Sequence, residues 1–284
     1  IVFLEAANIT NLGTGAVEIK SGYGLTTEAE LKMLRVIRRL KENSPLTIKA
    51  NFLGAHGVPM EYRGRQGEFV DLVINEMIPL VAKERLADFI DVFCDTGFFT
   101  VEETDRMLEA GVRYGLTPKI HANELDYSGG IEVGVKHGAL SVDHLECVGD
   151  KEIAALKSSK TMPTILPGAA FFLNMPYSPA RKMISAGLPV AMASDFNPGS
   201  SPSGNMQMIM TFACVNYRLT PQEALNATTI NSAYAMGLSQ THGSICRGKK
   251  ANFYITKAIP TLEYIPYYYG TNKVSRTFLN GKEQ

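Results

Sequence analysis

The chain has 284 residues, enough to bury one large core, and its 28 basic residues balance 28 acidic ones. A net charge of zero gives no electrostatic reason to expect nucleic acid or an anionic membrane as partner, so a small-molecule substrate is expected. Four cysteines (Cys94, Cys147, Cys214, Cys246) show no C-x-x-C spacing and read as reduced thiols, which favours the cytoplasm, and no apolar run approaches the roughly 20 residues that span a bilayer.

Short apolar runs rich in Val, Ile and Phe alternate with segments of helical period, the pattern of a parallel sheet built from βα units. Strands are predicted near residues 15–20, 47–53, 88–94, 117–121, 139–143, 161–166 and 188–194. Helices are predicted at about 27–42, 67–85, 101–114, 129–138, 150–159, 178–186, 202–217 and 221–236. In the first of these, Leu31, Met33, Leu34, Ile37 and Leu40 fall on one stripe, and Glu28 and Glu30 give an acidic first turn. After residue 240 the texture turns β-like, including Tyr264 to Tyr269 and Val274 to Asn280.

Seven predicted strands with intervening helices make an α/β fold of the (β/α)8, TIM-like type that lacks its first strand. The expected domains are an incomplete barrel over residues 1–240 and part of a small β-sandwich over 241–284. The chain does not start with Met and is expected to begin inside a longer product.

In such barrels chemistry sits at the C-terminal strand ends, where this sequence places Tyr23, His56, His121 with Glu124, His144, and Asp195 with Asn197. Strand ends offering His, His and Asp suit one catalytic zinc or iron. The turn at Asn197, Gly199 and Ser200 can offer N–H groups to an anion, or it is an Asx-turn capping the next helix. Taken singly, His56 reads as a barrel-lining histidine and Tyr23 as a cover for the rim, and His121 and His144 can be core histidines until their shared strand-end position is counted. His137 and His242 read as solvated, and Asp95 and Asp143 as structural acceptors for neighbouring loops.

Five motifs in order, Lys20 to Leu25 (KSGYGL), Gly54 to Pro59 (GAHGVP), His121 to Glu124 (HANE), Asp143 to Glu146 (DHLE) and Ser194 to Ser200 (SDFNPGS), resemble the imidazolonepropionases of the amidohydrolase superfamily. The resemblance covers nearly the whole chain. It implies hydrolysis of 4-imidazolone-5-propanoate to N-formimidoyl-L-glutamate in histidine degradation, a zinc or iron ion held by His121 and Asp195, and a homodimer. It also implies that Tyr23, His56, Glu124, Asn197, Gly199 and Ser200 contact substrate, and that His144, Glu124 and Asp195 do the proton work.

Relatives add a His-x-His and a carboxylate-binding arginine from a first strand, and this sequence has no His-x-His. The expectation is therefore an enzyme represented without its N-terminal portion, weak in zinc binding and inactive when these residues are expressed alone. The rival readings are a metal-free binding protein of the same fold and an aminohydrolase acting on a purine or pyrimidine.

Overall fold

The computed structural model describes residues 2–284, and the chain falls into two compact units. One comprises Glu18–Asn43 and Ile48–Thr161; the other comprises the residues up to Val17, Ser44–Thr47 and Met162–Gln284.

In the first unit the strands are β1 (Ala16–Lys20, entering from the other unit), β2 (Thr47–Ala55), β3 (Phe89–Cys94), β4 (Thr117–Pro118), β5 (Ile120–Ala122) and β6 (Ser141–His144). They lie side by side in the order β1-β2-β3-β5-β6, with β4 on β3. The pairs β2/β3, β3/β4, β3/β5 and β5/β6 are parallel, with Phe93 opposite His121 and His121 opposite Asp143. Parallel pairing needs long crossovers, and helices supply them. Helix Thr27–Asn43 buries Leu31, Leu34, Ile37 and Leu40 of the predicted stripe, and leaves Met33 half-buried at its edge. Helix Val101–Arg113 starts from a capping box between Thr100 and Glu103.

Two glycines show how closely helices approach the sheet. A Cβ on Gly111 would lie 2.6 Å from the Ile90 side chain, and one on Gly134 would lie 2.8 Å from that of Ile120. Ile90, Ile120 and Val142 therefore face the helices, and by the two-residue alternation of a strand Asp91, His121 and Asp143 face the other way.

The segment expected as one helix over 67–85 is interrupted. Helix Gln66–Leu72 passes through a π-helical turn, Val73–Met77, into Ile78–Lys83, where Pro79 has no N–H for the regular ladder.

In the second unit β7 (Met162–Ile165) pairs in parallel with β8 (Ala191–Met192). A helix at Pro167–Phe172, outside the expected set, follows β7 at once. The predicted helix 221–236 is split at Thr229 (φ −121°, ψ −86°) into Pro221–Thr228 and Ile230–Ala235. Strands β9 (Phe253–Thr256), β10 (Val274–Leu279) and β11 (Lys282–Glu283) form an antiparallel sheet. The β-like reading of Tyr264 to Tyr269 is corrected: Tyr264–Tyr267 is a short helical turn. Tyr264 and Tyr268 stack at 5.3 Å with the Lys273 ammonium 3.6 Å from the Tyr268 ring, an i,i+4 contact that an extended strand would pull apart. No helix among the described residues is long and apolar enough to cross a membrane.

Candidate functional site

The sheet face turned away from the helices in the first unit carries charge where a packed sheet would carry Leu or Val. Glu18 and Lys20 on β1, Asn51 on β2, Asp91 on β3, Lys119 before β5, His121 on β5 and Asp143 on β6 join in one network. Lys20 Nζ donates to Glu18 Oε1 at 2.6 Å, to Asp91 Oδ2 at 2.8 Å and to Asp143 Oδ2 at 3.3 Å. Asn51 Nδ2 donates to Glu18 Oε1 at 2.7 Å and to Asp91 Oδ2 at 2.9 Å, and Lys119 closes on the other Glu18 oxygen. Ser141 Oγ donates to Asp143 Oδ1 at 2.6 Å.

Buried charges persist only when paired in this way. Burial opposes ionisation throughout the cluster, yet the opposite charges win. Lys20 titrates well above its usual range, Asp91 is held low by His121 and Lys20, and Asp143 is held low by Lys119 and Lys20.

Above this network stand three histidines. His121 Nδ1 lies 3.0 Å from Asp91 Oδ1. Burial alone would lower His121, but Asp91 outweighs it and raises the ring above its ordinary value. The His121 and His144 rings are 5.2 Å apart, His121 and His56 are 6.4 Å apart, and Phe93 touches all three. Burial, and then the neighbouring His121, push His56 down to about 4 and His144 to about 3, so both are neutral bases at pH 7. Glu124 Oε2 lies 3.4 Å from His144 Nδ1, and Glu146 Oε2 lies 3.9 Å from it. His144 (φ +88°), Leu145 (φ +72°) and Asn123 (φ +56°) hold left-handed backbone immediately at or after the strand ends, a costly conformation typical of working sites.

Tyr23 is exposed, with its ring 5.2 Å from that of His56. Its loop is tied down by Glu30. That carboxylate, fully buried, accepts N–H bonds from Gly22 (2.9 Å), Gly24 (2.7 Å) and Leu25 (3.0 Å). Gly22 sits at φ +118°, and a Cβ on Gly24 would lie 2.7 Å from the Glu30 backbone nitrogen. Asp95 behaves as expected of a loop anchor, taking the N–H groups of Glu124 (2.7 Å) and Leu125 (2.9 Å).

In the second unit Asp195 (φ +51°) opens a tight turn after β8. Asn197 Oδ1 accepts the N–H groups of Gly199 and Ser200, both at 2.8 Å, and Asn197 Nδ2 donates to the Asp195 carbonyl at 2.7 Å. Ser200 Oγ donates to Asp195 Oδ2 at 3.1 Å, which orients that carboxylate. The two N–H groups read as anion donors are thus already engaged inside an Asx-type turn.

Three sequence readings are corrected. Asp143 bonds within the sheet network and not to loops. His242 is buried, between Thr241 Oγ1 at 2.8 Å and Thr47 Oγ1 at 3.0 Å. His137 is mostly covered, with Nε2 2.7 Å from Asp105. The network of Glu18, Lys20, Asn51, Asp91 and Lys119, and the anchor Glu30, were not singled out from the sequence. The available signal was polar residues two apart within apolar strands.

A family model described as the amidohydrolase family matches residues 102–283. The imidazolonepropionase of Christiangramia forsetii is 56% identical over 274 residues, covering 96% of this chain and 67% of that protein. The chain belongs to the imidazolonepropionase family. A second member, from Flavobacterium johnsoniae, is 56% identical over 279 residues and covers 98% of this chain and 68% of that protein. The chain thus spans about two thirds of the length of these relatives.

Among solved structures, a zinc-bound adenosine deaminase from Xanthomonas campestris superposes with a TM-score of 0.71 at 16% identity, covering 98% of this chain and 68% of that one. That likeness shows the α/β TIM-like amidohydrolase fold expected from the strand and helix pattern. As a member of the imidazolonepropionase family the chain is a hydrolase of C–N bonds, and the binding-protein and aminohydrolase readings are not favoured.

Proposed function

We propose that this chain carries the ring-opening chemistry of 4-imidazolone-5-propanoate, yielding N-formimidoyl-L-glutamate, at a metal site to which His121 and Asp195 contribute. The convergence of His56, His121 and His144 around Phe93, with Glu124 on His144, supports this most directly. One imidazole and one carboxylate suit a borderline metal and supply two of the three protein ligands usual for a catalytic zinc. His121 presents Nε2, which takes no hydrogen bond from a described residue, and Asp195 presents a carboxylate oriented by Ser200. When bound, a divalent ion lowers the pKa of a coordinated water to about 7. Zinc or iron both suit one imidazole and one carboxylate, and metal analysis of the purified protein distinguishes them.

The residues divide the remaining work. His144 is neutral at pH 7 and can accept a proton or hydrogen bond during attack on the ring carbonyl, with Glu124 aligning it and holding a ring nitrogen as the C–N bond breaks. Neutral His56 and the exposed Tyr23 offer polar contacts to the substrate from one side. The turn of Asn197, Gly199 and Ser200 shapes the loop that carries Asp195.

The test, made on a protein that carries these residues within the full length of the relatives, is product formation from the imidazolone, followed by NMR in the presence of zinc or ferrous iron. Asp195→Asn and His144→Ala should each lower turnover on the order of a hundredfold or more while leaving the fold intact. Turnover within a few-fold of the parent would remove those residues from the reaction centre.

A further inference from the structure

We propose that Asp91 is a positioning residue that fixes the tautomer and ring orientation of His121, presenting Nε2 as the only metal-facing nitrogen. The inference rests on the reading of His121 as a ligand. Asp91 is buried to the last atom of its side chain, and both of its oxygens are committed. Oδ2 accepts from Lys20 Nζ at 2.8 Å and from Asn51 Nδ2 at 2.9 Å, leaving Oδ1 for His121 Nδ1 at 3.0 Å. An ionised carboxylate can only accept, so Nδ1 must carry the proton and the lone pair of the neutral ring falls on Nε2.

Lys20 and Asn51 are themselves pinned by Glu18, so the carboxylate cannot rotate away. A carboxylate behind a ligating histidine is the recurrent device by which proteins set ligand tautomer and basicity.

The same atoms admit a different assignment. Ligand atoms of Asp91, His121 and Asp143 lie within 4.8 Å of one another, close enough to grip a cation themselves. The Lys20 ammonium already stands there, 2.8 Å from Asp91 and 3.3 Å from Asp143. A fixed ammonium supplies that charge, which leaves Asp91 free to serve His121 and directs a metal to the opposite edge of the ring.

Long-range 1H–15N NMR of the His121 imidazole, at an alkaline pH where the ring is neutral, reads the tautomer without metal or turnover. The expected result for the parent is the Nδ1–H form, with added zinc shifting the Nε2 resonance. Asp91→Asn should give a mixed or inverted tautomer and bind zinc about 10- to 100-fold more weakly. An Nε2–H ring in the parent protein overturns the proposal even if the variant does not fold. So does an Asp91→Asn protein that folds and binds zinc as tightly as the parent. A parent ring of Nδ1–H form that zinc leaves unshifted overturns the ligand reading instead, and the proposal falls with it by a separate signal.

Discussion

The Glu30 carboxylate receives the N–H of Gly24 at 2.7 Å and, with its second oxygen, that of Gly22 at 2.9 Å, so one helix residue clamps the loop that carries Tyr23. Glu30→Gln replaces one acceptor oxygen by an NH2 that would face the Gly22 N–H. Hydrogen bonds to a charged group contribute about 1.5–3 kcal/mol, and the substitution should cost about that much stability and loosen Tyr23. Urea denaturation measures the first effect. A loss of only a few tenths of a kcal/mol would show that the loop is held by other means.

Lys20→Met should be more severe. It leaves Glu18, Asp91 and Asp143 buried without their shared cation, and breaking a buried pair costs about 3–5 kcal/mol. Denaturation midpoints of the two proteins check this. A variant as stable as the parent would mean that the carboxylates are neutralised by protonation.

His242 sets a pH dependence away from the site. Burial, then Lys250 and Lys249, lower its pKa below the ordinary value near 6.5, so between those two values the unfolded chain binds the extra proton. Its contribution is full above pH 6.5 and is lost as the pH falls through 6.5 toward the folded value. His242→Gln should therefore flatten the decline in stability between pH 7.5 and 5. Parallel stability curves for parent and variant would contradict the assignment.

The strand ends were legible because apolar runs terminating in His or Asp are local patterns, and His121, His144 and Asp195 do fall at or just beyond β5, β6 and β8. The charged layer beneath was not. Phe89-Ile90-Asp91-Val92-Phe93 reads as a buried strand, and only the register shows that Asp91 and His121 share a face. Glu30 looked like an ordinary first-turn acid facing the helix dipole, because its partners are backbone groups of a glycine loop that periodicity does not see. The burial of His242 is hidden from the sequence for a related reason: its partner Thr47 is remote in the chain.

The most direct measurement is a zinc-soaked crystal with anomalous diffraction at the zinc edge. The expected result is a peak about 2.0–2.1 Å from His121 Nε2, with Asp91 still on Nδ1 and Lys20 still between Asp91 and Asp143. A peak on Nδ1, or one that displaces Lys20 to sit among Asp91, His121 and Asp143, would contradict it.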